Sequence, residues 1–189
     1  MAGRPRTFDR ESALLLAMER FWRDGYEATT VSKLTTEMGI TPPSLYAAFG
    51  DKDQLFAAAA DCYFDAVTAA TAQALEAPTA VEAITRMLRT TAAAHTDPET
   101  PPGCFMLTEP RLADRRARIR EQIAARIERG IVDGDLNSGI VADDVAGFLM
   151  AVLGGMSTRA RDGGSRAEVE AIVEMALAAL PRLRSDCSK

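Results

Sequence analysis

Few side chains in this chain are equipped for covalent or metal chemistry. Its 189 residues include one histidine, His95, and three cysteines, Cys62, Cys104 and Cys187. His95 could act as a general base only beside a nucleophile, and no serine or cysteine pairs with it in a recognisable motif. A structural zinc site needs several imidazole and thiolate ligands at short spacing, which this set does not supply. No glycine-rich phosphate loop occurs, and the carboxylates fall on expected helix exteriors, where solvated charge belongs. The expectation is therefore a protein that is not an enzyme and has no cofactor and no metal. The run Thr41-Pro42-Pro43-Ser44-Leu45-Tyr46-Ala47-Ala48-Phe49 offers recognition instead. Ser44 and Tyr46 bring hydroxyls, and Lys52 follows closely with an ammonium, groups that suit DNA phosphates and base edges.

Such a surface must be held out by something rigid, because a helix this short does not form alone. Thr41 is a good N-cap, prolines fit the first helical positions, and Gly50 ends the helix. Leu45 and Phe49, four apart, give it an inward side. Upstream, Asp9 can cap a helix to about Asp24, stopped by Gly25, with Leu14, Ala17, Phe21 and Trp22 at helical spacing. Thr30 caps a second helix through Met38, and Gly39 supplies the turn into the third. A helix, a short glycine-containing turn and a second short helix form the helix-turn-helix pattern. Ahead of it, Met1 to Thr7 reads as an arm whose Arg4 and Arg6 could enter a minor groove.

Composition sets the class. Apolar residues make up 47%, charged residues 26% and aromatic residues only 6%, and the alanine-rich runs favour helices. No apolar run approaches the length of a membrane span and no apolar signal core opens the chain, so a cytoplasmic location without membrane contact is expected. The net charge of −5 at first argues against a nucleic-acid partner. A basic face can nevertheless be masked in the total by a larger acidic domain. Residues 1–56 carry seven basic side chains against eight acidic ones, so the electrostatic contribution to binding should be modest.

Phe21-Trp22, Gly25-Tyr26, Thr29-Thr30-Val31, Leu34, Met38-Gly39-Ile40, Pro43-Ser44-Leu45-Tyr46, Phe49, Lys52 and Leu55-Phe56 together resemble the N-terminal domain of TetR-family transcriptional regulators over about residues 8–56. The resemblance implies an all-α protein. Its three-helix helix-turn-helix domain (1–51) is joined by a long helix to a larger helical ligand-binding and dimerisation domain (52–189). It also implies a homodimer on a palindromic, double-stranded operator, most simply a repressor released by a small ligand. DNA contacts would come from Arg4, Arg6, Thr30, Thr41, Pro42, Pro43, Ser44, Tyr46, Ala47 and Lys52. Pro42, Ala47 and Ala48 stand where many relatives carry longer polar side chains, so few direct base contacts are available.

The remainder is read by helical face. A helix from Asp51, with Gln54 completing a capping box, should run to about Ala77, and a second box at Thr79 and Glu82 opens a helix to about His95. Residues 96–103 form a loop, and 104–108 one or two helical turns. A helix from Pro110 to Asp133 carries a row of arginines, expected to be solvated or salt-bridged rather than DNA-binding. Two amphipathic helices, Asp143 to Arg161 and the one opened by a third box at Ser165 and Glu168, make a hairpin. Phe148, Val152, Gly155, Met156, Val169, Ile172, Val173, Leu177 and Leu180 are its expected dimer contacts. Gly147, Gly154 and Gly155 make sense there only if another helix comes close. Phe64, Met87, Thr91, His95, Cys104, Phe105, Met106, Phe148 and Met150 are the expected pocket for an apolar or amphipathic effector. Cys104 reads either as a small buried hydrophobe or as a thiol sensing electrophiles or oxidants.

Overall fold

The computed structural model describes residues 9–179. All regular structure among them is helical, and the chain divides into two compact units, Met1–Tyr63 and Phe64–Lys189. Arg4, Arg6 and Leu180 lie outside the described residues.

The first unit is built from local signals that agree with one another. Helix α1 (Arg10–Ala28) begins where the Asp9 carboxylate accepts from the Glu11 amide. It buries Ala13, Ala17, Phe21 and Trp22 on one side. Regular helix geometry fails at Gly25 (φ 79°, ψ 169°), as its sequence position predicts, although helical bonding resumes to Ala28. The buried Thr29 hydroxyl donates to the Gly25 carbonyl at 2.7 Å and ties off this kink. Helix α2 (Val31–Met38) is capped by Thr30 and ends in the left-handed Gly39 (φ 66°). That conformation lets the Gly39 and Ile40 amides bond back to Thr36 and Thr35. Helix α3 (Pro42–Phe49) follows at once. Helix α4 (Lys52–Leu75) starts from a reciprocal cap in which Asp51 and Gln54 bond each other's amides. Leu34, Leu45, Leu55 and Phe21 are fully buried, and Phe21, Tyr26 and Phe56 form an aromatic cluster. Burial of each such side chain contributes roughly 1.5–3 kcal/mol, which is what holds helices of two turns in place.

The second unit holds the end of α4, then α5 (Ala80–His95), α6 (Phe105–Thr108), α7 (Ala113–Val132), α8 (Ala142–Arg161) and α9 (Arg166–Ala179). Both expected capping boxes are present, Thr79 with Glu82 and Ser165 with Glu168. The helix expected from Pro110 instead opens with a separate 3-10 turn, Pro110–Leu112, because the Glu109 carboxylate accepts from the Arg111 amide. Helix α4 stops at Leu75, two residues early. There the buried Arg126 guanidinium draws off the Leu75 and Ala77 carbonyls at 3.0 and 3.1 Å. Ile84, Leu88, Ile123, Ile127, Leu149 and Met156 are among the side chains that fill this core.

Candidate nucleic-acid interface

Two turns of helix cannot present a surface unless one side is anchored and the other left clear. Leu45 and Phe49 anchor α3, whereas Thr41, Pro42, Pro43, Ser44, Tyr46 and Ala47 are exposed. All six residues predicted to meet DNA from this run therefore share the outward face. Thr41 caps the helix, and its hydroxyl lies 2.9 Å from that of Ser44. That pairing fixes the Ser44 hydroxyl at the first turn, where it can still accept or donate to a base edge. Tyr46 is 50% exposed, so its phenol is free to reach outward. Thr30 is exposed at the start of α2, where amides without helical partners favour an anion. Lys52 lies with its ammonium 3.9 Å from the centre of the Tyr26 ring. Apart from the hydroxyls of Thr41, Ser44 and Tyr46, the face is apolar. Direct reading of bases is therefore restricted to one or two hydroxyls and to methyl contacts, and the rest of any preference must come from DNA shape.

Charge on this unit is distributed unevenly. Arg20 pairs with Asp24 and Glu37, and Lys33 binds the Ala28 carbonyl and approaches Asp24 at 3.8 Å. Arg10, which sequence reasoning passed over, donates to the Ala48 carbonyl at 3.2 Å and lies over the Phe49 ring at 4.8 Å. Only the packing of α1 against the end of α3 brings it there, and no local motif marks it. The arginine row on α7, by contrast, serves the fold of the second unit. Arg116 holds the Met106 and Glu109 carbonyls, Arg120 pairs with Asp143, Arg118 faces Phe64, and Arg126 is buried.

In the second unit, Phe64, Met87, His95, Cys104, Phe105 and Met106 are all buried, while Thr91 and Met150 are partly exposed. Phe148 does not line this interior; it stands on the outer side of α8 at 46% exposure. Burial holds the His95 imidazole down to a pKa of about 4, so it is neutral at physiological pH. Its Nδ1 has no hydrogen-bond partner among the described residues. A buried polar atom without a partner is the kind of group that a ligand or water satisfies. The Cys104 amide donates to the buried Ser157 hydroxyl at 2.8 Å, and the residue is 3% exposed.

The hairpin of α8 and α9 separates into two sides. Met156, Val169 and Val173 are buried within the chain itself, so the expectation that they face a partner is corrected. An amphipathic hairpin must first cover its own seam. Phe148 and Gly155 are exposed, and Val152, Ile172 and Leu177 partly so. Met175, not anticipated, is 76% exposed. A Cβ built at Gly154 or Gly155 meets nothing within 4 Å among the described residues. The close approach these glycines permit is therefore not made by any other described residue.

Among the described residues no helix is long and apolar enough to cross a membrane, and no cluster of three or more metal-ligating side chains occurs. Comparison with known proteins agrees with the helix-turn-helix geometry. Residues 14–59 match the model of the bacterial regulatory proteins, tetR family. The chain is 31% identical to the HTH-type transcriptional repressor ComR of Escherichia coli (strain K12), over 96% of this chain and 93% of that protein. It is 33% identical to the repressor BdcR of the same strain, covering 92% and 90% of the two chains. Among solved structures, a cysteine mutant of the TetR family transcriptional regulator CifR complexed with 26bp double-strand operator DNA superposes with a TM-score of 0.89. That match has 38% identity and covers 94% of this chain and 99% of the other.

Proposed function

The chain belongs to the TetR family of bacterial regulatory proteins, DNA-binding transcriptional regulators rather than enzymes, and we propose that it represses transcription as a homodimer on a palindromic operator until a small ligand displaces it. The observation that carries the DNA-binding side of this reading is the clear outward face of α3, with both of its large apolar side chains turned inward. Each protomer lays that helix in a major groove, at half-sites one helical turn or more apart. Ser44 and the neighbouring Pro42, Pro43 and Ala47 meet base edges. Tyr46, Lys52 and the amides near Thr30 hold phosphates, and the arm carrying Arg4 and Arg6 adds minor-groove contacts. The CifR complex supports this, since a protein of the same fold and 38% identity binds operator DNA.

Dimerisation uses the open side of α8 and α9, where Phe148, Val152, Gly155, Ile172 and Met175 leave apolar surface uncovered. The effector is apolar or amphipathic and neutral, because Phe64, Met87, Phe105 and Met106 are buried apolar side chains of this unit and the buried His95 imidazole is uncharged. It releases DNA only to the extent that it binds one protomer arrangement better than the other. A buried thiol lacks the solvent access that an electrophile sensor needs, so Cys104 acts as a wall of this interior. As a DNA regulator in a bacterial family, it works in the cytoplasm. The test is DNase footprinting upstream of its own gene, paired with transcript levels after gene deletion. A protected palindrome and raised transcription are expected. Lowered transcription identifies an activator, and an unresponsive Cys104→Ser variant under an electrophile reinstates the thiol.

A further inference from the structure

The cations nearest the end of α3 are seated differently from others in the first unit. Arg20 and Lys33 engage carboxylates, which cancel much of their charge locally. Arg10 and Lys52 make no ion pair among the described residues. Each rests on an aromatic ring instead, Arg10 over Phe49 at 4.8 Å and Lys52 over Tyr26 at 3.9 Å. The acids close to them in sequence are engaged elsewhere. Asp9 accepts from Ser12 and the Glu11 amide, Asp51 from the Gln54 amide, and Asp53 from the Tyr26 hydroxyl at 2.6 Å.

The rings themselves are fixed. Phe49 is a buried anchor of α3. Tyr26 stacks on Phe21 at 6.1 Å, meets Phe56 edge-on at 5.0 Å and is pinned through its hydroxyl. A ring face attracts a cation but supplies no anion, so the charge stays available to a second partner on its open side. A carboxylate in the same place would have to be displaced by a phosphate, with loss of a charge-assisted hydrogen bond. Arg10 gains a further restraint from the Ala48 carbonyl. That bond uses its Nε, leaving the two terminal nitrogens of the guanidinium for a bidentate contact.

We infer that Arg10 is a phosphate-binding residue of the DNA interface, and that Phe49 and Tyr26 are positioning residues that hold Arg10 and Lys52 as uncancelled cations against the DNA backbone. The inference rests on the proposed use of α3 as the reading helix and deepens it. Preset cations also answer the difficulty raised by composition: a unit with no net basic charge binds a polyanion if its few unpaired cations are already in place.

Salt dependence is the appropriate reading, because a merely structural arginine does not change it. Affinity for a duplex carrying the DNA upstream of the gene is measured by fluorescence anisotropy across a range of salt concentrations. Arg10→Gln should lower the slope of log K against log salt by about 0.9 for each Arg10 engaged. Tyr26→Phe keeps the ring but releases Asp53, so it should retain more affinity than Tyr26→Leu. Tyr26→Leu should weaken binding, with a loss that largely disappears when Lys52→Ala is already present. Circular dichroism confirms that each variant is folded; if Arg10→Gln is not, Arg10→Lys, which keeps the charge but not the fork, should keep the parent's slope. A folded Arg10→Gln protein with the parental slope overturns the inference, as do strictly additive losses for Tyr26→Leu and Lys52→Ala. Failure of the unaltered protein to bind any duplex overturns the DNA-binding reading as well, and so is distinguishable.

Discussion

His95 gives the most quantitative prediction about the second unit. The free imidazole titrates near 6.5 and the buried one near 4. Unfolded chains therefore take up a proton over this interval that folded chains refuse. The direction follows from linkage: stability is intact above the unfolded value and is lost as pH falls through the interval toward the folded one. At up to about 1.4 kcal/mol per pH unit, acidification from about pH 7 to about pH 5 should remove roughly 2 kcal/mol. Two depressed carboxylates contribute mainly below this window. Glu168, held at about 2 chiefly by its hydrogen bond from Arg159, and Asp9, lowered chiefly by Ser12, act at lower pH. The assay is urea unfolding followed by circular dichroism at several pH values, for the parent and for His95→Leu, which cannot titrate. The parent should lose stability across the window, and the variant should change far less. Parallel curves for the two proteins would show that the imidazole is solvated or partnered in the native state, refuting the argument from burial. An effector that donates a hydrogen bond to Nδ1 of the neutral imidazole should raise the parent's stability across the window without flattening the curve, since it favours the neutral folded form and holds its pKa down.

Three further predictions use other parts of the molecule. Arg126→Met should lower stability by about 3 kcal/mol, because the Leu75 and Ala77 carbonyls lose their donor and Asp135, 4.0 Å away, loses its counter-charge. Arg126→Lys should restore little of this in thermal melts, since one ammonium cannot reproduce the fork. Gly155→Arg should leave the protomer folded, as its site is open, while converting dimers to monomers in sedimentation velocity; an unchanged dimer would place the interface elsewhere. In gel shifts Tyr46→Ala should weaken binding to all sequences alike, whereas Ser44→Ala should relax preference at one base position by about 1–3 kcal/mol.

The first unit was largely legible because its signals are local. Thr30 and Thr41 cap, Gly39 turns, and the four-residue spacing of Leu45 and Phe49 alone decides which side of α3 faces out. Every outward residue expected on that helix is outward. The hairpin was legible as an element but not by side. Val169, Ile172 and Val173 carry similar apolar character, and nothing in their spacing says which meets its own chain and which is left over. Arg126 could not be told from its neighbours in the arginine row, since burial comes from the end of α4 about 50 positions earlier. Arg10 and Tyr26 were hidden for the same reason: their partners, Phe49 and Lys52, meet them only through tertiary packing.

Selection of bound sequences from random duplex DNA tests the central claim, that the exposed face of α3 reads an operator for a dimer, most directly. A palindromic motif should emerge, and repeating the selection with Ser44→Ala should change it at symmetry-related positions alone. Recovery of no motif, or of one indifferent to every substitution on that face, would contradict the account.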